Sequence, residues 1–111
     1  MSLSLILTTT PDEQVAADIA RALIDKRQAA CVKIIPKVMS VYRWQDTVET
    51  DTESQLLIKT AQEHVSRAYK TVCALHPYEV PEWLVIEPAA GSDSYEKWVL
   101  DETLTRESRS K

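Results

Sequence analysis

Two stretches of this chain follow one plan, and that repetition limits its possible folds more than any other feature. Leu5-Ile6-Leu7-Thr8 leads into Thr10-Pro11-Asp12-Glu13, and Leu56-Leu57-Ile58-Lys59 leads into Thr60-Ala61-Gln62-Glu63. Each begins with a short apolar run suited to a buried strand and continues as Thr-x-x-Glu, the capping box that opens a helix. In the first copy Thr10 is the expected cap, Pro11 fits the first helical position, and Glu13 reaches back to the cap's N–H. Val15, Ile19, Ala22 and Leu23 then recur on one helical face, as do Val65, Ala68, Tyr69 and Val72 in the second copy. The chain therefore contains two strand–helix units.

Residues 31–45 and 48–59 join the two units as strands. Alternation places Val38, Ser40, Tyr42 and Trp44 on one face of the first, and Met39, Val41 and Arg43 on the other. Pro36 interrupts that strand. Gln45-Asp46-Thr47 is the expected turn, which makes the pair a long hairpin. A short strand at 83–87 and a last helix after Gly91-Ser92, carrying Tyr95, Trp98, Val99 and Leu104, complete the chain before a polar tail from Thr105. The order β-α-β-β-α-β-α reads as a single α+β domain over residues 1–111. Its expected form is a ferredoxin-like sandwich, an antiparallel sheet with helices on one face.

The hairpin carries a further expectation. Strands of roughly 12–15 residues span about 40–50 Å, whereas a compact domain of this length is about 35 Å across. The hairpin should overhang its own domain, leaving strand edges and the aromatic rings of Tyr42 and Trp44 in need of cover. Identical copies can supply that cover, so a closed homo-oligomer is expected.

Composition removes several classes of function. Gly91 is the only glycine among 111 residues, which excludes glycine-rich phosphate loops of the Walker or dinucleotide type. No G-x-S-x-G elbow or H-E-x-x-H pair is present. A net charge of −4 speaks against a nucleic-acid partner. No apolar run is long enough to cross a membrane, and the start lacks a signal-peptide pattern, so a cytoplasmic protein without a membrane partner is expected. An acylphosphatase-like enzyme of this topology would need Asn beside its anion loop, and the chain contains none. The reading is a binding protein, not an enzyme.

Chemistry concentrates in His76-Pro77-Tyr78-Glu79-Val80-Pro81-Glu82. Two prolines stiffen this connector and prevent it from continuing a helix. His76, with Glu79 and Glu82, is the candidate metal-ligating set; alternatively His76 caps the preceding helix. Tyr78 of the same segment, Tyr42 and Trp44 are candidate cleft or ligand residues, and Tyr42, Arg43 and Trp44 suit a subunit interface equally well. Cys31 is either a buried strand thiol or a ligand, and Cys73 reads as structural. Lys59 either offers a cation at the cleft mouth or snorkels. His64 reads as a solvated residue. Glu49, Asp51 and Glu53 read as a charged edge, with hard-cation binding the alternative.

The chain resembles the CutA family of divalent-cation tolerance proteins over nearly its whole length. The resemblance rests on Thr9-Thr10-Pro11-Asp12, Ala29-Ala30-Cys31-Val32, Ser40-Val41-Tyr42-Arg43-Trp44, Ile58-Lys59-Thr60, the 76–82 segment, and Gly91-Ser92 followed by Tyr95 and Trp98. It implies a tight homotrimer similar in plan to the PII signalling proteins. It also implies a role in tolerance to copper or another divalent metal such as zinc, with a metal or small ligand in clefts between subunits; a rigid interaction or signalling scaffold is the alternative. Three departures bear on this. Lys37 and Asp46 stand where the family often has glycine, so the bulge and the turn are expected to be locally strained or differently shaped. Copper ligation in some bacterial relatives is attributed to a Cys at the position of Thr8 and a second His at that of Leu75, beside the shared His. Here only His76 remains, and one imidazole with carboxylate oxygens suits copper poorly.

Overall fold

A computed structural model describes residues 3–104. Along the chain lie β1 (Leu3–Thr10), α1 (Glu13–Asp25), β2 (Cys31–Trp44), β3 (Thr47–Ala61), a 3₁₀ turn (Gln62–His64), α2 (Val65–Leu75), β4 (Leu84–Ile86) and α3 (Asp93–Glu102). The strands form one antiparallel sheet in the order β2-β3-β1-β4. This is the ferredoxin-like arrangement expected from the two strand–helix units.

Period-two alternation decides which side chains enter the core. On β1 and β3, Ile6, Leu56 and Ile58 point toward α1 and α2 and join Ala16, Ile19, Leu23, Ala68 and Val72 in one buried cluster. Burying each large aliphatic side chain is worth about 1.5–3 kcal/mol, so this layer supplies most of the fold's driving force. The other face carries Leu5, Leu7 and Leu57, each half-buried, with Ile35, Leu84 and Ile86 exposed beside them. That face is apolar too. α3 contacts β1 and β3, and Lys59 sits 5.5 Å over the Tyr95 ring. Because Lys59 shares the face of Leu57, α3 covers the Lys59 end of this second face rather than joining the helix layer.

The helix starts differ from expectation. Asp12 is the N-cap of α1, its Oδ1 accepting from the Val15 N–H at 2.9 Å, while Thr10 remains in β1 and donates to the Asp12 carbonyl. The second capping box does not form. β3 runs on to Ala61, and the Thr60 hydroxyl is buried, donating to the Gln28 carbonyl at 2.7 Å. The 3₁₀ turn that follows rotates His64 inward, so it is fully buried, not solvated, with its Nδ1 3.1 Å from the Arg67 guanidinium. Cys73 is exposed on α2, contrary to its structural reading, whereas Cys31 is half-buried; both thiols are free. The tail from Thr105 lies outside the described residues.

β1 pairs with β3 only from Ser54 to Ala61, so the rest of the hairpin reaches past the sheet. The molecule measures 49 × 28 × 22 Å, with a radius of gyration of 14.9 Å, above the ~13 Å typical of a compact domain of this length. Two local devices shape the overhang. Between Ile35 and Val38 the register shifts by a bulge at Pro36 and Lys37, where Pro36 has no N–H to pair. The two-residue turn Gln45-Asp46 has φ of 49° and 66°, and Lys37 has φ of 58°. All three occupy the left-handed region without being glycine, which locates the strain that the missing glycines imply.

Candidate functional site

The connector between α2 and β4 crosses the root of the overhanging hairpin, and its own chemistry fixes it there. α2 ends at Leu75 because Pro77 follows, and the His76 main-chain N–H still closes the last turn on the Val72 carbonyl at 2.8 Å. The His76 ring turns inward and is only 8% exposed. Its Nδ1 accepts from the Tyr78 N–H at 3.1 Å, which leaves the proton on Nε2 to be donated to the Thr9 carbonyl at 2.6 Å. Trp83, with its ring 5.1 Å from that of Tyr69, packs against the core and anchors the far end.

Between connector and hairpin lies a cavity of about 770 Å³. The hairpin contributes Ser40, Val41, Tyr42, Trp44 and Glu53, β1 contributes Thr9, and the connector contributes the run from Pro77 to Glu82. Tyr78 donates its phenolic O–H to Glu53 Oε2 at 3.1 Å, and Tyr42 donates to Asp51. Gln55 donates to the Thr8 carbonyl at 2.8 Å and to Glu82 Oε2 at 3.4 Å, tying the connector to β3.

The groove is electrostatically negative. Burial, helped by the charge and hydrogen bond of Glu53, raises the Tyr78 phenol to about 12. The hydrogen bond to Asp51, followed by burial and nearby carboxylates, raises Tyr42 to about 12 as well. Among the described residues no Lys, Arg or His side chain lines the cavity.

Of the candidates read from the sequence, Tyr42, Trp44, Tyr78, Glu79 and Glu82 line this groove. His76 sits behind it, holding the connector to β1. Cys31 and Lys59 pair across β2 and β3 toward the other end of the sheet, away from the groove. Thr9, Ser40 and Val41 line the groove without having been ligand candidates, and Glu53, read mainly as part of a charged edge with hard-cation binding the alternative, lines it too. The hairpin register alone could have found the acidic side, since a turn at Gln45-Asp46 puts Tyr42 opposite Glu49 and Ser40 opposite Asp51.

The metal set His76, Glu79 and Glu82 does not assemble within one chain. Both His76 nitrogens are committed, so ligation would require releasing Tyr78 or Thr9. Among the described residues no three His, Cys, Asp or Glu side chains gather into a metal-holding group. The described residues of a single chain therefore do not fit a transition-metal centre.

A four-stranded antiparallel sheet, two helices sealing one face, a hairpin past its edge and a cleft at the hairpin's root define a ferredoxin-like α+β protein. The chain belongs to the CutA1 divalent ion tolerance protein family, whose model matches residues 4–102. The divalent-cation tolerance protein CutA of Thermus thermophilus is 43% identical over 99 residues, covering 89% of this chain and 96% of that protein. A CutA homolog of Xenopus laevis is 44% identical over 90% of this chain, which spans 66% of the longer relative. The crystal structure of CutA from Xylella fastidiosa superimposes with a TM-score of 0.90 at 43% identity, over 93% of this chain and 99% of that one.

Proposed function

We propose that the protein is a non-catalytic, cytoplasmic homotrimer that binds a small ligand in clefts at the root of each hairpin, within the divalent-cation tolerance role named for its family. The observation that carries this reading is the 770 Å³ groove between connector and hairpin, lined by aromatic rings and carboxylates. Its volume falls in the usual range of small-molecule sites, roughly 300–1,000 Å³. The overhanging hairpin borders the groove, so a second chain covering the overhang would close the cleft from outside. Trimer formation would bury the second sheet face, where Ile35, Leu84 and Ile86 are 45%, 58% and 44% exposed. Two free cysteines suit a reducing compartment. Binding rather than catalysis is supported by the His76 ring, whose two nitrogens are committed to the Tyr78 N–H and the Thr9 carbonyl.

A divalent metal enters this reading only through donors shared between chains, since one chain does not gather them. Calorimetric titration with copper, zinc and small anions, repeated on His76→Ala, tests the site. Saturable binding by any of them, weakened in the variant, would support the ligand role; failure of all of them to bind would exclude a metal or a small anion as the ligand. The exposed hairpin surface at Met39 and Val41, 73% and 64% exposed, favours a second reading, a rigid scaffold for another protein. A partner captured equally by groove variants but lost on Met39 substitution would support that alternative.

A further inference from the structure

Glu53 is the most telling residue of the groove. It is only 8% exposed, yet it lines an open cavity. One of its oxygens accepts from Tyr78, and among the described residues no lysine, arginine or histidine pairs with it. A carboxylate with so little exposure, held by one neutral hydroxyl beside an acidic groove, would gain from a cation placed next to it. The surroundings specify what kind of cation. A small hard ion wants several oxygens converging at one point, and among the described residues no three acidic, histidine or cysteine side chains gather into such a group. What the groove offers instead is aromatic faces from Tyr42, Trp44 and Tyr78, with carboxylates at Glu53, Glu79 and Glu82 spread along it.

We infer that the groove takes a guanidinium-bearing organic cation. A planar guanidinium stacks on tyrosine and tryptophan faces while its in-plane N–H donors reach carboxylates on either side. A phosphate or carboxylate ligand would meet only like charge. This inference rests on the groove being the ligand site, and it names the chemistry that site selects. The guanidinium has two sources: a free small molecule, or Arg43 of a second copy, since Arg43 is exposed near the hairpin tip.

The test is calorimetry with agmatine, which carries a guanidinium and a primary ammonium, against a diamine of similar length, an uncharged alkylurea and zinc, on the wild type and on Arg43→Ala. The diamine should bind no better than the alkylurea, and a diamine binding as well as agmatine would overturn the inference. Agmatine should bind saturably and the alkylurea should not. Glu53→Gln, verified as folded by circular dichroism, should weaken agmatine about tenfold or more, the scale of losing a charged hydrogen-bond partner. Agmatine binding seen only in Arg43→Ala would support the same chemistry with a second copy as its source. Binding unaffected by Glu53→Gln, or alkylurea binding as well as agmatine, would overturn the inference. Zinc binding at the groove without agmatine binding in either protein would overturn it too, while leaving the groove as a site. Failure of every probe, copper and small anions included, would remove both.

Discussion

Leu57 and Ile58 are neighbours in one strand, but they meet opposite surroundings. Ile58 is fully buried between the sheet and α1 and α2, whereas Leu57 faces the second side, with Leu5, Leu7, Ile35, Leu84 and Ile86 around it. The two faces are similarly apolar, yet only one is sealed by the chain's own helices. Apolar alternation on both sides of a sheet fits a strand system buried twice, once by its own helices and once by something else. One face forms the core, and the other remains apolar and partly exposed. The groove lies at their border, where the connector passes from the helix layer to the hairpin.

Substitutions on the two sides should separate these roles. Ile58→Ala should cost about 2–5 kcal/mol in chemical denaturation, the range for a large aliphatic removed from a sealed core. Leu57→Asp should act elsewhere, dispersing the assembly at micromolar concentration while the separated chain keeps its circular dichroism spectrum. If Leu57→Asp unfolds the chain and leaves no soluble monomer, the two faces are not independent. Lys37→Gly should stabilise by about 1 kcal/mol by relieving a left-handed residue at the bulge, and Asp46→Gly by less, because Asp tolerates that region better. Loss of stability in Lys37→Gly would show that the lysine side chain contributes more than its backbone costs.

The smallest effect is a titration. Tyr42 and Tyr78 have their phenols raised from 10.0 to about 12. A raised folded-state value favours the neutral form, so what these hydroxyls contribute is whole below pH 10 and is lost as pH rises through about 12. Phenolate absorbance should show late-titrating tyrosines, and Tyr78→Phe should remove one of them. Ordinary titration of all the tyrosines would contradict the negative groove.

Much of this was legible in the residues. Period-two alternation located the strands, and the long hairpin with a turn at Gln45-Asp46-Thr47 followed from strand propensity and turn chemistry. That turn is one residue longer than the one observed, since Thr47 already belongs to β3. Prolines marked the connector. The misreadings share one cause: local signatures were overruled by tertiary placement. Thr60 has the sequence of a cap, but its hydroxyl is buried against the Gln28 carbonyl, so the helix starts later and His64 turns inward. Asp12 outcompeted Thr10 because Thr10 is still paired in β1. Glu53 belongs by pattern to a solvated acidic run, and only the connector folding over the hairpin root makes it a buried groove residue. Cys31 and Lys59 were grouped with the cleft by chemistry, and the register separates them from it.

The claim that the second sheet face exists to be covered by other copies is tested most directly by sedimentation equilibrium on the wild-type chain. The account predicts a single species at three times the 12.6 kDa chain mass, reduced to one chain mass by Leu57→Asp. A wild-type protein sedimenting as one chain at micromolar concentration would contradict it.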